Sequence, residues 1–463
     1  MPAAQQAARA CAALATMAAR GNDERYADLI DAGAIEALLS CLDAHGLDDV
    51  VALHGLTALH AFTKHSSHLT AFLIECGAYT ATLQCIPYHV GNQEICETCT
   101  LLLLGLLRGG DGDVTDANLL QLWASNDGWG SALESLCYTA FNVRQPRSAA
   151  IAVNVCTLLS LMLRVGPAAA VQLARFLDGT SFVALLAEFI RIHFANSVVV
   201  VAALRVLIAF GEADTQPLRD ALAASAEAVL KAVALVLGKT YSYAATPAKW
   251  TLLPSDAAEG SLVDDMDPSA ASPAVFSADH QAIVFTSLRV LYLVTRGLRA
   301  VPPLQRTMCT PSGAAIAADV NYVKMGQPSA ATASLEHRLL LAVTCEDVLP
   351  LYTVVATFIR LNVFRAMDAG TGAGAGAGAT DLAAACVDAF RAISRILQSL
   401  DPRVVNARHI FRVRASLDDQ NVPALLRTLL SQTDAPPTVF TSRDVDGHGA
   451  ARHAAQELLD SWT

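Results

Sequence analysis

Leu29-Ile-Asp-Ala-Gly-Ala-Ile-Glu-Ala-Leu-Leu-Ser-Cys-Leu42 is the stretch on which the fold turns. It reads as a helix that closes on Gly33 and a longer helix that starts immediately after it. A glycine at such a junction takes a left-handed or tight turn that a side chain would resist, so the chain can reverse sharply. The pattern Gly33-Ala34-Ile35 returns 44 residues later as Gly77-Ala78-Tyr79.

A second ladder runs beside the first. Ala13-Leu14, Ala58-Leu59, Leu102-Leu103, Leu158-Leu159 and Ala203-Leu204 each precede another large apolar residue by three positions: Met17, Phe62, Leu106, Met162 and Leu207. The leucines lie 45, 44, 56 and 45 residues apart. An internal helical period of this length belongs to the armadillo/HEAT range of repeat architectures. The alanines let neighbouring helices approach closely, and the leucines fill a continuous core between stacked repeats. No single repeat can bury its apolar face alone.

The stretch Ala10-Cys-Ala-Ala-Leu-Ala-Thr-Met-Ala18, followed by Leu29 to Leu42, resembles one armadillo repeat. In that family a small-residue helix leads into a helix closing on glycine, and a third helix opens with Gly-Ala-Ile-Pro-x-Leu-Val. Glu36 replaces the usual proline here, but proline stands at the matching place in Val348-Leu-Pro-Leu351 and Val422-Pro-Ala-Leu-Leu426. The first turn of a helix accepts proline because its missing N–H has no intrahelical partner there. The resemblance implies an all-α, right-handed α-solenoid of about seven armadillo-type repeats. It is good in repeats one, two and seven and degenerate in three to six, where HEAT-like stacking is the alternative.

Composition agrees with a buried helical stack. Of the 463 residues, 53% are hydrophobic and 16% charged, the reverse of a disordered chain. The mean hydropathy of +0.40 raises the question of membrane spans. No uncharged apolar run reaches the 18 or more residues that a span needs. The nearest, Ser148 to Leu163, contains Asn154 and is closed by Arg147 and Arg164. A net charge of −11 argues against a nucleic-acid partner, which calls for a basic face. Eleven scattered cysteines read as reduced thiols in a cytoplasmic setting, with cytoskeletal, ciliary or organellar placement as alternatives. Met1 to Asn22 carries Arg9 and Arg20 without an acid, which suits either a transit peptide or the first repeat helix.

Three interruptions divide the array. Residues 1–237 hold repeats one to five, and 238–279 form an acidic, proline-containing insertion with five acids from Asp256 to Asp267. Residues 280–463 hold repeats six and seven, insertions at 301–333 and 369–380, and a capping helix at about Ala450 to Trp462. The tract Gly370 to Ala379 alternates glycine and alanine, as a flexible linker would. Ala203-Leu-Arg-Val-Leu207 recurs as Ser287-Leu-Arg-Val-Leu291 across the first insertion, 84 residues on.

Catalytic and metal motifs do not assemble. Cys96-Glu-Thr-Cys99 has the spacing of a zinc half-site, but no second pair completes four ligands, and both cysteines occupy core positions. Asp111-Gly-Asp113 starts like a calcium loop, yet Asp116 and Leu122 stand where glycine and an acid are required. No dinucleotide or phosphate loop and no nucleophile elbow is present. No catalytic residue, cofactor or metal is therefore expected.

The charge pattern is more informative. Arg289, Arg296, Arg299 and Arg306 lie in a stretch from His280 to Ala318 that holds no acid. Arg403, Arg408, Arg412 and Arg414 form a second group. Arginine's bidentate fork favours carboxylate or phosphate partners. Of these, Arg289, Arg296, Arg299, Arg403, Arg408, Arg412 and Arg414 are the candidate partner-binding residues, with a solvated face or ion pairs to neighbouring repeats as the competing reading. The acidic insertion could fold back over the first group as a displaceable pseudo-ligand. The function expected is a non-enzymatic scaffold or adaptor binding a protein partner, an acidic one on this reading, along the groove. Its alternative is a structural component of a cytoskeletal or ciliary assembly that makes contact through the insertions. The Trp and Asn array of nuclear-import receptors is missing, since Trp123, Trp129, Trp250 and Trp462 fall out of register.

Overall fold

A computed structural model of the chain describes residues 2–20, 23–64, 67–108, 129–141, 149–164, 179–213, 215–240, 278–298, 335–348, 350–356, 377–399, 412–415, 422–431 and 453–460, with a few isolated positions besides. Among the described residues the regular structure is entirely helical, and the chain divides into two compact units. The first comprises Met1–Phe182 with Ala213–Leu218, and the second Val183–Glu212 with Arg219–Thr463.

In the first unit the helices are α1 (Pro2–Arg20), α2 (Asp23–Asp31), α3 (Ala34–His45), α4 (Asp49–Phe62), α5 (Ser67–Glu75), α6 (Ala78–Tyr88), α7 (Gln93–Arg108), α8 (Trp129–Phe141) and α9 (Ala149–Arg164). Through α7 the packing follows a period of three helices, with α1 on α4, α4 on α7 and α3 on α6; beyond it α7 lies on α9 and α6 on α8. The 44-residue ladders are thus two rows of stacked helices.

The glycine junctions are built alike. Gly33 has φ 75° and Gly77 φ 90°, both left-handed. At the first, the Gly33 amide donates to Ile30 O at 2.8 Å and Ala37 N donates to Gly33 O at 3.0 Å. Gly77 repeats this with Ile74 O at 3.0 Å and Ala81 N at 3.2 Å. One residue therefore ends one helix and starts the next, and only glycine does so without steric cost.

Leu59, Phe62, Leu103, Leu106, Leu159 and Met162 are fully buried. The ladder departs from expectation at its first rung. Leu14 is only half-buried and Met17 is 52% exposed. In α1 the enclosed face is instead Cys11, Ala15 and Ala18, turned toward α4, and the small side chains allow a close approach. α1 is thereby placed as a stacked repeat helix.

The second unit contains most of α10 (Gly179–Ile192), then α11 (Ser197–Glu212), α13 (Ala226–Thr240), α14 (Ala278–Thr295), α15 (Leu335–Val343), α16 (Ala377–Ser399) and α17 (Val422–Ser431); α12 (Gln216–Ala224) falls across the division. Here α11 packs on α14 and α14 on α16, with α13 against α14 and α15. The recurring pentapeptides stand on directly stacked helices, with Leu204, Leu207, Leu288 and Leu291 all buried. Gly211 makes this possible, since a Cβ there would lie 2.9 Å from Leu293 Cβ. Pro350 opens the helical segment 350–356, as a first-turn proline should. Residues 453–460 are helical, bury Ala454, Ala455 and Leu458, and accept a hydrogen bond at Glu457 O from Ser394 Oγ at 3.2 Å.

Two insertion boundaries shift. α13 runs through Thr240 and α14 starts at Ala278, and α16 begins at Ala377, so the last three residues of the glycine–alanine tract are helical. Alanine's helix propensity lets the helix extend back into that tract. Residues 241–277, 301–333 and 370–376, and Asp111 to Asp113, lie outside the described residues.

One buried group sets a pH dependence. His60 on α4 is half-buried, and its Nδ1 is enclosed without a hydrogen-bond partner. Burial, and then the charge of Lys64, pulls its pKa from 6.5 down to about 4. Between those values the unfolded chain binds a proton that the folded chain refuses, so stability falls as pH drops through this window. At pH 5 the loss is about 2 kcal/mol before solvent screening and roughly 1 kcal/mol after it. Urea midpoints at pH 7 and pH 5 should differ accordingly, and His60→Gln should remove that part of the difference.

Candidate protein-binding surfaces

Arg289 projects from α14 between two neighbouring helices. Its Nη2 donates to Glu212 Oε1 of α11 at 2.8 Å, and its Nη1 donates to Asp388 Oδ1 of α16 at 3.0 Å. The guanidinium lies 5.3 Å from the Tyr292 ring centre, and Arg395 of α16 stacks on the same ring at 4.7 Å. Burial tends to lower the Arg289 pKa, but the Glu212 hydrogen bonds and the Asp388 charge outweigh it and the net shift is upward. Asp388 is only 7% exposed. Burial raises its pKa against the opposing pull of Arg289 and Arg391, with Glu212 adding to the rise. Arg289 is thus engaged as an interlock across three stacked helices.

Arg412 pairs with Glu346 at 2.8 Å. Arg296 is exposed just beyond the end of α14, and Arg414 is half-buried with its Nε enclosed and unpartnered. Arg299, Arg403 and Arg408 lie outside the described residues. The structure therefore gathers Arg289 with Arg395 and Tyr292, which the sequence did not single out.

A different surface emerges in the first unit, at the turns joining α3 to α4 and α6 to α7. The two turns share a construction. Asp48 N donates to His45 O at 2.9 Å, and the Asp48 side chain caps α4 by accepting from Val50 N and Val51 N. Asn92 N donates to His89 O at 2.8 Å, and Asn92 Oδ1 accepts from Ile95 N at 3.3 Å. The second unit repeats it, with Asn196 N donating to His193 O at 2.8 Å and Asn196 Oδ1 accepting from Val199 N at 3.3 Å. A His-x-x-Asp/Asn spacing, legible at 45–48, 89–92 and 193–196, marks these turns. Asx side chains suit the last position because they satisfy free amides of the next helix.

The first two turns are tied together. His89 is buried, with Nδ1 2.7 Å from Asp49 Oδ1 and Nε2 2.6 Å from Gly46 O. Asn92 Nδ2 donates to Asp49 Oδ2 at 3.1 Å. Beside this clasp opens a cleft of about 600 Å³ lined by Asp49, Tyr88, His89, Gly91, Asn92, Gln93 and Glu94. Its wall residue Tyr88 is 70% exposed, and Leu47 and Val50, close to Asp49 in sequence, are 72% and 51% exposed. On α8, Thr139 Oγ1 reaches Val90 O at 3.5 Å, and the adjacent Tyr138 is 62% exposed. Rings of this size are ordinarily drawn into cores or interfaces.

The cysteine pair belongs to the core. Cys96 and Cys99 are buried, and Cys96 Sγ donates to His89 O at 3.3 Å. Burial, with Cys85 and Cys96 nearby, holds the Cys99 thiol well above its ordinary pKa. Among the described residues no group of three or more His, Cys, Asp and Glu could hold a metal ion, and no single helix is long and apolar enough to cross a membrane.

No family model matches the chain, and no curated protein does. Among solved structures the chain is similar to a designed armadillo repeat protein, at 17% identity and a TM-score of 0.37, over 52% of this chain and 87% of that one. It is also similar to an engineered protein solved by crystallography, at 19% identity and a TM-score of 0.37, over 51% of this chain and 85% of that one.

Proposed function

We propose that the chain is a non-enzymatic protein-binding scaffold of armadillo type, an α-solenoid of about seven repeats. The observation that carries this reading is the exposed edge of the first unit, where Tyr88 lines an open cleft and Leu47, Val50 and Tyr138 are exposed on the neighbouring turns and helix. Exposed apolar groups of this kind, rimmed by polar ones, characterise protein-interaction surfaces. The three-helix period supports it further, because stacked repeats present extended surfaces to partners. On the cysteine usage argued above, the proposed compartment is the cytoplasm.

Replacing both exposed tyrosines, Tyr88→Glu with Tyr138→Glu, tests the reading. Both rings are largely in solvent, so the helical circular dichroism and Tm should stay within error of the parent. Proteins captured by the parent chain from a cell extract should be depleted at least about tenfold in the variant, the loss expected when an aromatic hot spot is removed. Unchanged capture by a folded variant would move the binding surface elsewhere.

A further inference from the structure

The chemistry around this edge specifies its partner more narrowly than the fold does. Between Arg25 and Arg108 the chain carries nine carboxylates and, besides six histidines, a single basic side chain, Lys64. Lys64 follows the C-terminal end of α4, whereas Asp49 opens it, and a helix of fourteen residues separates the two ends by about 21 Å. Among the described residues of this stretch no lysine or arginine therefore stands beside the cleft, and carboxylates are in excess. Asp49 exposes 62% of its side chain there, Glu94 stands exposed in the first turn of α7, and Tyr88 offers a largely bare ring.

An exposed aromatic face next to two carboxylates suits a guanidinium or ammonium group. The ring quadrupole attracts the cation while the carboxylates accept its hydrogen bonds. Leu47 and Val50, exposed on either side of Asp49 in sequence, offer apolar surface to the aliphatic stem or an adjacent apolar residue. The Asp49–His89–Asn92 clasp fixes the cleft wall, so little ordering is lost on binding. We infer that this edge docks a basic, arginine-containing segment of a partner protein, with a cationic side chain laid over Tyr88 between Asp49 and Glu94. The inference rests on the scaffold reading and names the partner class for the same surface.

The test uses the full chain and fluorescein-labelled twelve-residue peptides, one of four Arg-Leu-Ser repeats and one with glutamate in place of arginine. Fluorescence anisotropy should show the arginine peptide binding at least about tenfold more tightly, with affinity falling as salt shortens the screening length. Tyr88→Ala should weaken it about fivefold, in line with an exposed cation–π pair. Glu94→Lys should weaken it further, while Glu188→Lys, an equal change of charge in the second unit, should not. Equal affinity for the two peptides, or an equal loss in Glu188→Lys, overturns the inference. If the tyrosine variant still loses its captured proteins while the peptides bind alike, the scaffold reading stands and the basic partner fails. Arginine-peptide binding with unchanged capture supports the cationic site and moves the surface that holds the captured proteins elsewhere.

Discussion

Leu59→Ala should lower the unfolding free energy by about 2–5 kcal/mol, the range for emptying a fully buried leucine site. Leu59 has no solvent exposure and sits on α4, whose neighbours α1, α3 and α7 enclose it. The stacked partners of these helices oppose closure of the cavity. Leu204→Ala should behave alike in the second unit, where α11 packs on α14. The informative contrast is Leu14→Ala at the same place in the repeat. Leu14 is half-buried, so its loss should cost well under the lower end of that range. Urea denaturation of the three variants decides the matter, and equal effects at Leu14 and Leu59 would show that the ladder is misaligned.

Arg289→Ala is expected to cost about 2–4 kcal/mol, because it strands the nearly buried Asp388 carboxylate without its partner. The figure stays below that of a wholly buried pair since Arg289 keeps 36% of its side chain in solvent. Asp388 sets the pH dependence of this loss. Its pKa is already raised by burial, and losing Arg289 removes a lowering influence, so the variant's carboxyl rises further. A group whose folded pKa is raised takes up its proton more readily when folded. The variant should therefore recover part of its stability as pH falls from neutral toward the raised value, opposite to the His60 trend. Adding Asp388→Asn should restore part of the loss at pH 7 and remove the recovery on acidification. A pH-independent loss would place the effect in packing against Tyr292.

The same site shows what sequence reasoning could and could not do with charge. Arg289 belongs to a stretch without acids, and from sequence it reads as free to bind an acidic partner. Its partners Glu212 and Asp388 are 77 and 99 residues away and come near only because α11, α14 and α16 stack. At the turn edge the difficulty was reversed. The excess of carboxylates between Arg25 and Arg108 and the His-x-x-Asp/Asn spacing were visible, but nothing local joined His89 to Asp49, 40 residues earlier. The pairing follows from one turn of the stack lying over the next.

The repeat itself needed no such help. Gly33 and Gly77 reverse the chain because only glycine accepts their left-handed backbone without strain, and this is a local property of the residue. The leucine spacing likewise determined which helices form and which faces are apolar, since a 3.6-residue period is local. Tertiary structure decided which apolar positions are covered: Leu59 is enclosed and Leu14 is not, although their local patterns match. It also decided which charges are neutralised within the chain and which carboxylates and rings remain exposed at the edge. Burial and ion pairing depend on the neighbouring repeat, and that neighbour lies a full helical period away in sequence.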